Sequence, residues 1–257
     1  MLKSAIYGFA IGDALGVPFE FKKRGTFTCK EMTGYGTWNQ APGTWSDDTS
    51  MTLATLDSIK EKGCIDLDDM RRRFYDWFYD AKYTVNNEAF DVDNTTRIAL
   101  EQGYCLGDYY YSNGNGSLMR ILPLAFTDVT DDEIRAVSAI THANKISTEA
   151  CVKYVHLARR LMNGETIGYG DIKHETVEKI ESSGFVLHTL IASIWCLLNT
   201  NSYEEAVLTA VNLGDDTDTT AAVVGGLAGI LYGYDNIPKK WIDQLKNKEL
   251  IDSILNK

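Results

Sequence analysis

Hydrophobic and polar positions along the chain fall repeatedly into the 3.6-residue period of helices, and no run of alternating residues argues for a sheet. Residues 2–16 are apolar or small almost throughout. Ala5, Ile6, Phe9, Ala10, Ile11, Ala14 and Leu15 supply the buried side, and Pro18 stops the run. After Gly43, Ser46 reads as an N-cap, Asp47 and Asp48 fill a first turn, and Met51, Leu53, Ala54 and Leu56 form the buried side. Further helices are expected over 66–82, 93–103, 117–126, 131–141, 145–163, 172–181, 185–199, 203–213, 216–233 and 238–255. The stretch 22–45 is loop-like, with Gly25, Gly34, Gly36, Pro42 and Gly43, and long loops are often functional. The expected class is all-α. A length of 257 residues with 44% hydrophobic content suits a single domain spanning 1–257.

The stretch Leu213 to Gly233 organises this reading. Asp215, Asp216 and Asp218 precede a run of small and apolar residues, so that Asp216, Asp218 and Thr219 occupy a helix's first turn, where unpaired N–H groups favour negative charge. Gly225, Gly226, Gly229 and Gly233 cost helix propensity and make sense where another backbone packs close. Carboxylates at the mouth of so buried a helix need partners, and a hard cation is a suitable one. One acidic helix start reads as capping. Two, each adding a hydroxyl oxygen (Ser46, Thr219) to paired carboxylates, supply an all-oxygen ligand set suited to Mg²⁺ or Mn²⁺. Spacing leaves open whether the two starts meet.

Composition narrows the partners. Lys and Arg total 25 against 36 Asp and Glu, a net charge of −11 that repels a nucleic-acid duplex or an anionic membrane surface. The longest basic run, Arg71-Arg72-Arg73, lies beside Asp68, Asp69 and Asp76 and reads as a solvated helix face. Cys29, Cys64, Cys105, Cys151 and Cys196 are odd in number and widely spaced, which fits reduced thiols in a cytoplasm better than disulfides or a zinc site. The apolar stretch Ala5 to Gly12 is interrupted by Asp13, against an export signal, and no window approaches the ~20 apolar residues of a membrane span.

Three features stay open between structural and chemical roles. Glu20, between two phenylalanines, is either a loop surface residue or an acid with a perturbed pKa at a site rim. The segment Tyr109 to Ser117 is either an ordinary turn or one whose glycines let backbone N–H groups approach a ligand, with tyrosines that pack or stack on a base. His142, in Thr141-His142-Ala143-Asn144, sits among polar turn residues, whereas His156, His174 and His188 read as structural or surface groups.

Six ordered blocks resemble the ADP-ribosylglycohydrolase family: Gly8-Phe-Ala-Ile-Gly-Asp-Ala-Leu-Gly16 with Glu20, Trp45-Ser-Asp-Asp-Thr-Ser-Met51, Phe90-Asp-Val-Asp-Asn-Thr-Thr-Arg97, Gly114-Asn-Gly-Ser-Leu-Met-Arg120, Thr141-His142, and Asn212-Leu-Gly-Asp-Asp-Thr-Asp-Thr219. The resemblance runs through nearly the whole chain. It implies a compact helical domain holding two divalent cations, Mg²⁺ or Mn²⁺, in a cleft, and a glycosidic bond to ADP-ribose as the bond cut. Ser46, Asp47 and Asp48 match one set of metal ligands and Asp216, Asp218 and Thr219 the other, with Asp218 bridging and Asp215 behind. Asn115, Gly116 and Ser117 match a phosphate and ribose cradle, with Arg120 behind it and His142 near the distal ribose. Glu20 matches a mobile acidic residue that closes over the site, and Glu20 or Asp91 is expected to transfer or orient a proton alongside Asp47 and Asp218.

Asp91 also matches an aspartate of the arginine-directed, nitrogenase-type branch, which tilts the expected substrate toward ADP-ribosylarginine proteins; Asp93 departs from the glycine common in relatives. Rivals are an O-linked specificity (ADP-ribosylserine, O-acetyl-ADP-ribose or a modified nucleobase), a non-catalytic relative such as the lens crystallins of this fold, and a helical scaffold with no small-molecule site.

Overall fold

Small residues recur at every fourth position of the first helix, Ser4, Gly8, Gly12 and Gly16, and again at Thr217, Ala221, Gly225 and Gly229. A four-residue spacing puts each set on one stripe of its helix. In the computed structural model, which describes residues 1–103, 105 and 112–257, the two stripes face one another. A Cβ on Gly8 would lie 2.4 Å from the Gly225 carbonyl oxygen, and one on Gly12 would lie 2.1 Å from that of Ala221. The helices therefore run antiparallel with their backbones in contact. That close approach is what the glycines provide.

Among the described residues the helices are α1 (Leu2–Gly16), α2 (Asp47–Lys62), α3 (Leu67–Asp80), α4 (Asn94–Gln102), α5 (Asp131–Ser138), α6 (Lys145–Met162), α7 (Gly170–Lys173), α8 (Val186–Leu198), α9 (Tyr203–Asn212), α10 (Thr217–Tyr232), α11 (Lys239–Gln244) and α12 (Lys248–Leu255). No strand occurs among them, only two isolated bridges, so the class is all-α as expected. The α1 and α10 pair is the buried axis, and α2, α6, α8 and α9 pack around it. Two tyrosines lock it from outside: Tyr203 Oη donates to the Gly8 carbonyl at 2.6 Å, and Tyr154 Oη to that of Val223 at 3.0 Å. Because the pair is antiparallel, the C-terminal end of α1 meets the N-terminal end of α10, which brings Asp13 level with Asp218.

Several elements differ from their sequence pattern. The expected helix over 117–126 is a turn followed by a 3₁₀ segment, Leu122–Phe126, where Pro123 has no N–H to donate. The expected helix over 172–181 is only α7 and a 3₁₀ turn at Val177–Lys179. The Arg24 side chain donates to the carbonyls of Val177 and Ile180, which ties this segment to the loop that follows Glu20. The expected helix over 238–255 breaks between α11 and α12. There Asn247 is left-handed at φ 42, and Lys246 N–H donates to the Gly43 carbonyl at 3.0 Å.

Arg73 is a further correction. It is buried rather than solvated, and its guanidinium meets Asp57, Asp69 and Glu61, because α3 turns it inward against α2. Cys29, Cys151 and Cys196 are buried and all five thiols are unpaired. No described helix is long and apolar enough to cross a membrane. The tyrosine run Tyr109, Tyr110 and Tyr111 lies outside the described residues.

Candidate active site

The two acidic helix starts meet. Ser46 caps α2 by accepting from the Asp48 N–H at 3.3 Å, and its hydroxyl also bonds Asp48 Oδ2 at 3.1 Å. From the start of α10, Thr219 Oγ1 donates to the same Asp48 oxygen at 3.3 Å. Ligand oxygens of Asp13, Asp48 and Asp218 lie within 4.8 Å of one another, as do those of Glu20, Asp216 and Asp218. Asp218 belongs to both groups and so sits at their junction.

Asp13, outside both acidic helix starts, joins the cluster from α1. It is the one carboxylate of an otherwise apolar and small helix, and that isolation was the available signal. Wholly buried, it accepts from the N–H groups of Ser46 at 2.9 Å and Thr49 at 3.0 Å, and from Thr49 Oγ1 at 2.6 Å. It therefore fixes the start of α2 against the end of α1.

Protein donors leave much of this cluster uncompensated. Asp48 Oδ1, Asp216 Oδ1 and Asp218 Oδ2 are buried atoms with no hydrogen-bond partner. Burial, reinforced by neighbouring carboxylates, raises Asp47, Asp48 and Asp218 well above the usual carboxylate range; burial also raises Asp216 and pushes Asp13 up to about 6. A buried set of carboxylates with free, converging oxygens fits divalent cations, which would neutralise the repulsion and use the empty lone pairs.

Above the cluster opens a cleft of about 370 Å³ whose walls include Glu20, Asp47, Asp91, Asn115, Gly116, Asp216 and Thr219. Glu20 is held on its own loop: Trp38 Nε1 donates to Glu20 Oε2, and Thr37 Oγ1 to its carbonyl at 2.7 Å. That loop is stapled to the turn before α10. Phe21 N–H donates to the Asp215 carbonyl at 2.7 Å, and Asp215 N–H to that of Lys22 at 2.9 Å. Asp215 thus acts through its backbone while its side chain stays exposed.

Burial, with the Asp216 charge adding to it, pushes Glu20 up to about 7. Asp91, at a positive φ of 65, turns its carboxyl toward Asp218 and is raised far above the usual range by burial and then by Asp218 and Asp47. Exposed Phe21, together with Trp38 and Phe90, forms an aromatic rim beside these two acids; the Trp38 and Phe90 ring centroids are 5.6 Å apart.

The residues matched to a cradle divide into two layers. Asn115 and Gly116 line the cleft, and Asn115 Nδ2 donates to Asp216 Oδ2 at 2.7 Å and to Thr189 Oγ1 at 2.9 Å. Ser117, Arg120 and His142 are wholly buried beneath them and do not line it. Ser117 is spent on its neighbours, accepting from Ser138 Oγ at 2.9 Å and lying 3.4 Å from Cys151 Sγ.

An all-α scaffold closing a carboxylate-floored cleft defines the class of protein, and comparison with known proteins gives the family. The family model described as ADP-ribosylglycohydrolase matches residues 2–180 and 168–257. The chain is 34% identical to the ADP-ribosylarginine hydrolase Tri1 of Serratia proteamaculans, over 98% of this chain and 77% of that protein. It is 30% identical to the ADP-ribosyl-[dinitrogen reductase] glycohydrolase of Rhodospirillum rubrum, over 95% and 90%. A solved structure described as an ADP-ribosylglycohydrolase-related protein complex superposes with a TM-score of 0.81 at 29% identity, covering 98% of this chain and 94% of that one. The chain belongs to the ADP-ribosylglycohydrolase family and is a glycosidic-bond hydrolase.

Proposed function

We propose that the whole chain, residues 1–257, acts as one metal-dependent hydrolase that removes ADP-ribose from arginine side chains of cytoplasmic proteins, with Mg²⁺ or Mn²⁺ as its two cations. The observation that carries this reading is the convergence of Asp48 and Asp218 from distant helix starts, each with an unpartnered oxygen, beneath a cleft bordered by Asp91. Ser46, Asp47, Asp48, Asp216, Asp218 and Thr219 hold the cations in this proposal, and Asp13 joins them as a ligand or as the anchor of α2. Bound there, divalent cations supply orientation of sugar hydroxyls and a lowered pKa for water.

The remaining chemistry belongs to the chain's own groups. Cleavage at the anomeric carbon passes through an oxocarbenium-like state and needs water on one face of the sugar ring. An arginine leaving group departs as a neutral guanidine, so the proton lost by the attacking water balances the one the guanidine regains. In this proposal Glu20, which lies near Asp216 in the wall of the cleft, carries that proton. Asp91 orients the cationic guanidinium in the same proposal, and the aromatic rim offers its planar face a surface. Asn115 and Gly116 form the cradle wall for ADP-ribose, while Ser117, Arg120 and His142 support it from below.

The relatives named for arginine-linked and dinitrogen reductase substrates favour the N-glycosidic reading over an O-linked one. The test is release of ADP-ribose from arginine-modified and serine-modified proteins side by side, with added metal, comparing wild type and Asp216→Ala. Arginine-linked release lost in the variant supports the reading. Release from serine alone, or undiminished release by the variant, contradicts it.

A further inference from the structure

Arg120 is wholly buried, its guanidinium stacked 4.7 Å from the centre of the Phe74 ring. Its Nη2 donates to Thr141 Oγ1 at 2.8 Å, and the carbonyls of Val137 and Ser138 lie 3.3 and 3.4 Å from the same nitrogen. Thr141 Oγ1 sits in turn 2.8 Å from His142 Nδ1. Among the described residues the hydroxyl has no other partner than these two.

A guanidinium can only donate, so Thr141 Oγ1 accepts from Arg120 and keeps one hydrogen of its own. The acceptor in reach of that hydrogen is His142 Nδ1. Were Nδ1 to carry a hydrogen instead, the buried hydroxyl hydrogen would have nowhere to go, an arrangement folded proteins avoid. We propose that Arg120 and Thr141 are positioning residues that hold His142 as its neutral Nε2–H tautomer, aiming a hydrogen-bond donor up beneath the Gly114 to Gly116 turn.

What that donor faces is specific. His142 Nε2 lies 3.8 Å from Asp93 Oδ1, and His142 Nε2, Asp93 Oδ2 and Thr96 Oγ1 are all buried without a hydrogen-bond partner among the described residues. Gly116 covers them: a Cβ there would lie 2.5 Å from Asp93 Oδ2, 2.9 Å from His142 Cε1 and 3.2 Å from Thr96 Oγ1. The turn carrying Asn115, which holds Asp216, thus rests on an imidazole whose donor side is chosen by an arginine that never reaches the cleft. Burial also pushes His142 down to about 4, in keeping with a neutral ring. The consequence for ADP-ribose binding rests on the proposed function; the tautomer does not.

Long-range ¹H–¹⁵N correlation spectra of the full chain, labelled with ¹⁵N-histidine and assigned with His142→Gln, read the tautomer directly. A single Nε2–H pattern for His142 across neutral pH is expected in wild type and in Thr141→Ser, which keeps the hydroxyl. Thr141→Val is expected to lose that exclusivity and to bind ADP-ribose about tenfold more weakly than Thr141→Ser, the size of one lost hydrogen bond. An Nδ1–H tautomer in wild type overturns the proposal whether or not the valine variant folds, as does a wild-type pattern in Thr141→Val. Equal ADP-ribose affinity in the two variants overturns the positioning role. Wild type that shows the Nε2–H pattern but does not bind ADP-ribose overturns the proposed function and leaves the tautomer assignment standing.

Discussion

Thr219 and Asp48, 171 residues apart in sequence, are joined by a 3.3 Å hydrogen bond at the floor of the cleft. That contact ties the start of α10 to the start of α2, and its partners make the floor a strongly acidic one. Its energetics follow from what is left unpaired.

Without cations, four or more carboxylates share a low-dielectric floor, so removing one charge relieves the others. Asp218→Asn is expected to raise the melting temperature in EDTA by several degrees, at about 2–4 °C per kcal/mol for a domain of this size, while abolishing hydrolysis. Excess Mg²⁺ or Mn²⁺ is expected to raise the wild-type melting temperature well above its EDTA value and that of Asp218→Asn much less. Calorimetric melts of both proteins in the two buffers check this.

The α1 and α10 seam admits no side chain. A Cβ on Gly12 would stand 2.1 Å from a backbone oxygen, which cannot swing aside, whereas one on Gly170 meets nothing within 4 Å. Gly12→Ala is expected to cost about 3 kcal/mol or more, an overpacking penalty compounded by a shift of Asp13. Gly170→Ala should fall within about 0.5 kcal/mol of wild type. Urea unfolding of the two variants measures the contrast.

Glu20 is posed by Trp38, whose indole donates to it. Glu20→Gln is expected to lower kcat by about 10²–10⁴, the range of a lost proton-transferring group. Trp38→Phe keeps an aromatic side chain at the rim but removes the indole donor together with one of its two fused rings, and is expected to lower kcat about tenfold or more with a smaller change in ADP-ribose affinity. Steady-state kinetics on arginine-linked substrate, with calorimetric binding of ADP-ribose, separate the two effects.

Acid stability has a different seat. Burial works against ionisation of Asp69, but hydrogen bonds from Arg73 and Arg72 outweigh it and hold the carboxyl well below the usual range. A carboxyl with a depressed folded-state pKa contributes stability that is present above its unfolded value, ~3.9, and is lost as pH falls toward the folded one. Unfolding free energy should therefore decline below about pH 4, and Arg73→Met should flatten that decline while costing about 3–5 kcal/mol near neutrality. Urea titrations across that range test both parts.

Helix periodicity and caps made most elements legible in the sequence, because amphipathic stripes and acidic first turns are local signals. Three of the departures coincide with distant contacts that periodicity does not carry: Arg24 donating to carbonyls near 177–180, Gly43 receiving the Lys246 N–H, and Arg73 turned inward onto Asp57. The acidic pairs Asp47-Asp48 and Asp216-Asp218 were visible as helix starts, yet their meeting depends on the antiparallel glycine seam, a tertiary fact. Asp13 in the sequence is a lone carboxylate interrupting an apolar run, and only the packing of α1 against the start of α2 brings it to the floor of the cleft. The layering of Asn115 and Gly116 above Arg120 and His142 could not be read from a motif, since a motif gives order along the chain and not depth.

Manganese binding, measured by titration calorimetry on metal-stripped protein, decides whether the two helix starts form one metal-holding floor. Two Mn²⁺ per chain are expected in wild type, with binding severely weakened by Asp48→Ala and by Asp218→Ala alike, since each disrupts the same floor from a different helix. Wild type that binds no Mn²⁺, or an Asp48→Ala protein that binds it as wild type does, would mean that the two helix starts do not form a shared metal site.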